Sequence, residues 1–206
     1  MRTIQGLGAI LVVSMFGCLA LAAQDAAKKE AKPAGGQAMS MPMPKPAPEM
    51  TKMIKMMAGN WKVAEMAEPG PMSPSGGTGE GMAKLWPGPG GMSLMETYHS
   101  KGVMGPNFSG AGTFWWDSKA QVYKGIWCDT MTEGGCDNAG TSKWDGDKLV
   151  GMMESEMNGQ KMYMRLTYSD FKPDSFVFTM DSGPSPTQMK KFMTMTYTRM
   201  PGGGKM

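Results

Sequence analysis

The chain has 206 residues and a formal net charge of +3, and about a fifth of it is Gly or Pro. That is room for one ordinary domain, and the Gly and Pro content falls short of what marks a whole chain as low-complexity. Charged residues make up 19% and form no basic cluster interleaved with aromatics, so nucleic acid is excluded as a partner.

The first element is an address. Arg2 precedes an uncharged, mostly apolar run from Gly6 to Leu21, followed by the small-x-small pattern Ala20-Leu21-Ala22. Residues 1–22 read as a secretory signal peptide. The apolar run is about 16 residues, short of the roughly 20 that a spanning helix needs, so no integral span is expected after cleavage. A minor alternative is a lipoprotein signal cut at Gly17, with lipid on Cys18. The protein is expected to be exported, periplasmic or extracellular.

Residues 23–48 are mostly Ala, Lys, Pro, Gly and Met, with no aromatic and no apolar period. They cannot bury enough surface to offset ordering entropy, which predicts a disordered linker. Next, Met50, Met53, Ile54 and Met57 fall at i, i+3, i+4 and i+7, with Pro48 before them and Gly59 after. This is one short amphipathic helix with start and stop signals.

Beyond Gly59 the period becomes two. Met162, Met164, Leu166 and Tyr168 alternate with Tyr163, Arg165 and Thr167; Phe176, Phe178 and Met180 alternate with Ser175, Val177 and Thr179; Met193, Met195 and Tyr197 alternate with Thr194, Thr196 and Thr198. Each is a half-buried strand. Earlier candidates are 61–68, 79–86, 92–99, 108–116, 121–128, 140–144 and 149–156, separated by turn signals such as Pro87-Gly88-Pro89-Gly90-Gly91, Asp145-Gly146 and Asn158-Gly159. About ten strands with no crossover helix predict an all-β antiparallel meander over residues 49–200, closed into a barrel or folded as a sandwich, with residues 201–206 as a flexible tail.

Two residues favour the barrel. Gly59-Asn60-Trp61 opens the first strand after the helix, and Tyr197-Thr198-Arg199 ends the last. This arrangement resembles the calycin superfamily, the lipocalin and fatty-acid-binding barrels, and more specifically a bacterial family of exported proteins of unknown function with that barrel. The resemblance covers about residues 49–200 and implies a calycin-like fold of roughly ten strands in which Arg199 packs on Trp61 to close one end. It supplies no assigned activity.

Cys128 and Cys136 flank a Gly-rich turn between β-like segments, and export would place them in an oxidising compartment, so they are expected to form a disulfide closing a hairpin. The single histidine, His99, leaves nucleophilic triads without a base, and no Gly-x-Ser-x-Gly elbow surrounds a serine. The protein is therefore expected not to be an enzyme and to have no catalytic residue. His99 reads as a strand-end polar residue before it reads as a haem ligand. Asp145-Gly146-Asp147 lacks calcium-loop spacing and reads as a hairpin turn.

Glu96 is ambiguous. With Leu94 and Tyr98 inward it would be a polar group inside the barrel, whereas the other phase, Met95, Thr97 and His99 inward, is nearly as apolar. The expected cavity lining is Leu94, Glu96, Tyr98, Phe114, Trp116, Met164, Leu166, Phe176, Phe178, Met193 and Met195. The chain has 27 Met against eight Leu, and a Met-rich interior is soft and adapts its shape, which suits a small apolar ligand. The alternatives are a filled structural barrel with a protein partner, and Cu(I) or Ag(I) handling through Met39, Met41 and Met43, whose thioethers are soft donors. No cofactor is expected beyond that copper alternative.

Overall fold

The structure is a computed structural model whose described residues are 42–70, 73–103, 105–157 and 160–201. The signal and lipidation segment, most of the linker with Met39 and Met41, and the tail beyond residue 201 lie outside the described residues. The domain is the compact unit that begins at Met43.

One helix, α1 (Pro48–Met57), precedes ten strands: β1 (Gly59–Ala67), β2 (Gly77–Pro87), β3 (Ser93–Gly102), β4 (Gly105–Asp117), β5 (Val122–Asp129), β6 (Cys136–Asp145), β7 (Lys148–Met157), β8 (Gln160–Lys172), β9 (Ser175–Gly183) and β10 (Lys190–Arg199). Every strand pairs antiparallel with its chain neighbours, and β1 pairs with β10, giving a closed barrel. Closure removes every free sheet edge, which is how an all-β meander avoids exposing unpaired backbone groups.

The strands form where alternation places apolar residues on one face. In β1, Trp61, Val63, Glu65 and Ala67 are buried while Lys62, Ala64 and Met66 face solvent. In β10, Met193, Met195 and Tyr197 point into the barrel. β6 departs from the sequence expectation: it starts at Cys136, four residues earlier than the periodicity indicates, because Cys136, Asp137 and Asn138 pair with β5 although all three are exposed. A register shift between Lys124 and Ile126 and a positive φ at Gly140 break the alternation there.

α1 covers one end of the barrel. Pro48 sits in its first turn, where a missing N–H costs nothing. Met50, Met53 and Met57 are its buried face, packed into the core with Leu85, Leu94 and Tyr123. Two side chains from the barrel hydrogen-bond to the helix backbone: Trp61 Nε1 donates to Met57 O at 2.9 Å, and Tyr123 Oη donates to Glu49 O at 2.9 Å. The Tyr123 hydroxyl in turn accepts from Trp144 Nε1 at 2.9 Å, and Lys52 Nζ lies 3.6 Å from the Trp144 ring centroid.

Trp61 is fully buried, and the Arg199 guanidinium lies over its ring at 4.1 Å. Arg199 also donates from Nη1 to Ala58 O and from Nε to Pro173 O, each at 2.9 Å. Gly59 has φ +151°, and a Cβ there would lie 2.1 Å from Arg199 Nη1. The glycine of the Gly-x-Trp pattern thus makes room for the arginine that the last strand contributes. Cys128 and Cys136 are directly opposed on β5 and β6 and form a disulfide.

Candidate functional site

The barrel interior is built from alternate residues of each strand, and the register settles the phase that β3 leaves open. Tyr98 is opposite Ala83 of β2, Ser100 is opposite Gly81, and Glu96 is opposite Leu85, and all three β3 residues are buried. Glu96 therefore points inward together with Leu94 and Tyr98. Met95, Thr97 and His99 take the other face.

His99 is on the outside of the barrel, exposed, with Nδ1 3.0 Å from Ser109 Oγ. Its side chain faces away from the barrel interior and lines no part of the cavity beneath α1.

Between α1 and the strands is a cavity of about 40 Å³. Met53 and Met57 of α1 close it on one side, Leu85, Leu94 and Phe114 form an apolar wall, and Leu149, Leu166 and Tyr168 face them. It holds one to a few waters, far less than the roughly 300–1,000 Å³ of a drug-sized ligand site. Of the residues expected to line a cavity, Leu94, Glu96, Phe114 and Leu166 do so. Tyr98, Trp116, Met164, Phe176, Phe178, Met193 and Met195 lie elsewhere.

Most of those seven fill the interior. Phe176 stacks on Tyr197 with centroids 4.3 Å apart and meets Trp61 edge-on at 4.8 Å. Phe178 packs on Tyr168 at 4.8 Å, and Trp116 packs on Tyr123 at 4.9 Å. Met193 and Met195 are buried, while Met164 is half-buried. The residues missing from the sequence reading are chiefly Met53 and Met57. Their signal is present, since the helix periodicity marks a buried face, but a face alone does not say that it seals a cavity.

Two carboxylates are buried in this interior. Glu96 is 6% exposed and borders the cavity, and no described residue hydrogen-bonds to its side chain. Burial alone pushes its carboxyl up to about 8, so at neutral pH it is largely protonated, able both to donate and to accept. Glu65 of β1 is 3% exposed, and its Oε1 accepts a hydrogen bond from Tyr98 Oη, while its Oε2 has no described partner. Ser100 Oγ, also buried, has none either. Burial raises the phenols of Tyr98, Tyr168 and Tyr197 as well, so all three stay neutral donors.

Of the methionines considered for copper, Met43 is described and is 84% exposed. No helix among the described residues is long and apolar enough to cross a membrane.

The fold and its interior define a class: a closed ten-stranded antiparallel barrel with a helix over one end and a small, mostly apolar cavity beneath it. The chain belongs to the DUF1579 family, described as proteins of unknown function, whose family model matches residues 46–199. No curated protein matches it. Among solved structures, the crystal structure of Rv2717c from M. tuberculosis is similar at 11% identity and TM-score 0.51, covering 76% of this chain and 99% of that one. At that identity the likeness shows the fold alone. A de novo designed fluorescence-activating β-barrel aligns at 12% identity and TM-score 0.40, covering 71% of this chain and 96% of that one. A structure of EF1p2_mFAP2b bound to DFHBI aligns at 12% identity and TM-score 0.41, with 73% and 99% covered.

Proposed function

We propose that this is an exported, non-enzymatic binding protein that takes a small, mainly apolar molecule into the barrel beneath α1. The observation that carries the reading is the cavity itself, lined by Met53, Met57, Leu94, Phe114 and Leu166 with the carboxyl of Glu96 and the hydroxyls of Ser142 and Tyr168. A few polar atoms in an apolar enclosure are what a small-molecule site needs. Two of its walls are methionines, whose three soft torsions let the space enlarge as a ligand enters. The disulfide and the leader-like N-terminus support export.

A second reading, a filled barrel that serves as a scaffold for a protein partner, is favoured by the small size of the cavity. Native mass spectrometry of the full chain expressed in an exporting host separates the two. A retained apolar compound, identified after denaturation, supports the binding protein. A bare mass at the disulfide-bonded value that no apolar compound shifts favours the scaffold.

A further inference from the structure

The ionisable side chains buried in the barrel are all acidic among the described residues. Among the described residues, the buried polar or charged side chains are Glu65, Glu96 and Ser100. None is a Lys, Arg or His. Lys124 borders the cavity, but its Nζ is 2.6 Å from Asp117 Oδ2, so its charge is already matched. Arg199 is held over Trp61 with its donors on two backbone carbonyls.

Resting on the reading of the barrel as a small-molecule site, we infer that its ligand is an organic cation, a protonated amine on a short apolar body, with Glu96 as the counter-ion of the ammonium group. Three observations converge on this. The Glu96 side chain is nine-tenths buried, faces the cavity, and has no described hydrogen-bond partner. A buried carboxyl without a partner is costly, and a cation placed against it recovers that cost through a charge-assisted hydrogen bond.

The second carboxylate makes the preference sharper. Glu65 is buried in the same interior, with Oε2 unpartnered, so a fatty acid or other anion would add a third acidic group to a space that offers no buried cation. A carboxylate buried where no cation can pair with it carries its full desolvation cost, which disfavours that ligand class. The rest of the cavity wall is mostly apolar, with Met53, Met57, Leu94 and Phe114 beside the hydroxyls of Ser142 and Tyr168, and no group of three or more His, Cys, Asp or Glu gathers there among the described residues. An organic ammonium with an apolar tail fits such a wall, whereas a bare metal ion would lack ligands.

The test uses the full chain purified from an exporting host and isothermal titration with hexylammonium, 1-hexanol and hexanoate, probes that share one tail. Hexylammonium is expected to bind roughly 10-fold or more tightly than hexanol, with hexanoate weakest. Glu96→Gln should abolish the preference for the amine while leaving hexanol bound, and Leu166→Trp, which fills the cavity, should block all three. Should the Gln variant fail to melt cooperatively, Glu96→Ala takes its place. Hexanol or hexanoate binding as tightly as the amine, or an amine preference that survives at position 96, overturns the cationic class and leaves the binding barrel standing. No binding of any probe to the natural chain, or unchanged binding to the Leu166 variant, overturns the site itself.

Discussion

Tyr98 of β3 hydrogen-bonds to Glu65 of β1 across the strand between them. The contact passes over β2 because β2 presents glycine there: a Cβ on Gly81 would lie 2.5 Å from Tyr98 Oη, and one on Gly79 would lie 2.3 Å from Glu65 Oε2. Two missing side chains thus let a tyrosine and a glutamate from next-but-one strands meet inside the barrel.

That contact gives a paired prediction. Gly81→Ala forces the phenol aside and is expected to destabilise by about 1–3 kcal/mol. Tyr98→Phe leaves both Glu65 oxygens without a described partner and costs a similar amount, about 1–3 kcal/mol. Met82→Ala, one residue along and exposed, should fall within about 0.5 kcal/mol of the natural chain. Urea unfolding of the three variants checks this, and equal midpoints for all three would refute the cross-strand contact.

At the opposite end, Arg199 makes two hydrogen bonds and a ring contact. Arg199→Ala is expected to lower stability by roughly 2–3 kcal/mol, and Arg199→Lys to recover only part, since an ammonium cannot donate in a planar fork while covering the indole. Gly59→Ala should destabilise through both its φ of +151° and the 2.1 Å approach to Arg199 Nη1. Combining Gly59→Ala with Arg199→Ala should cost less than the sum of the two, because the clash partner is gone. Strict additivity in a thermal double-mutant cycle would count against the packing described.

The buried Glu96 sets a pH dependence. Below its ordinary 4.5 the carboxyl is protonated in folded and unfolded chains alike, and it contributes no slope. Between there and about 8 the unfolded chain releases the proton while the folded chain keeps it, so stability falls as pH rises. The slope for one proton is at most about 1.4 kcal/mol per pH unit, and it vanishes above about 8, where both states are ionised. Glu96→Gln should flatten this fall between pH 5 and pH 8. Parallel urea profiles for the two proteins across that window would mean that the carboxyl is not held neutral.

The disulfide joins residues eight apart in the hairpin of β5 and β6. On the chain-entropy account it contributes about 2–3 kcal/mol, so Cys128→Ser with Cys136→Ser should lower the melting temperature without dissolving the barrel. Hydrogen exchange should accelerate mainly in these two strands. Collapse of protection in β1 and β10 as well would show the bridge to be essential to the whole fold.

Much of the architecture is legible in the chain. The alternation is matched by burial in β10 and in the first half of β9, where Phe176 and Phe178 are buried, while residues 162–169 of β8 are half-buried throughout, and the helix shows its buried stripe in three methionines. The pairing of Trp61 with Arg199 follows from the family resemblance carried by Gly59-Asn60-Trp61 and Tyr197-Thr198-Arg199, not from their spacing. What is not legible depends on neighbours. The phase of β3 turns on Ala83 and Gly81 in β2, since only small residues opposite leave room for Tyr98 and Ser100, and nothing within β3 itself discloses that. The start of β6 is hidden because Cys136, Asp137 and Asn138 are exposed and carry no apolar period. The cavity is smaller than its expected lining implies for a similar reason: residues such as Phe176 and Tyr197 stack on one another, and a set of inward side chains does not reveal how completely they fill the space.

The seam between β1 and β10 has a consequence for synthesis and damage. It is the one pairing that joins strands far apart in sequence, Trp61 to Arg199, so until the final strand is present the other nine make an open sheet with β1 and β9 as bare edges. A chain cut before Lys190 would lose ten residues of strand, the Arg199 clasp on the helix, and its protection against edge-to-edge association in a single step. Completion of β10 is therefore the step that turns an open sheet with two bare edges into a closed barrel.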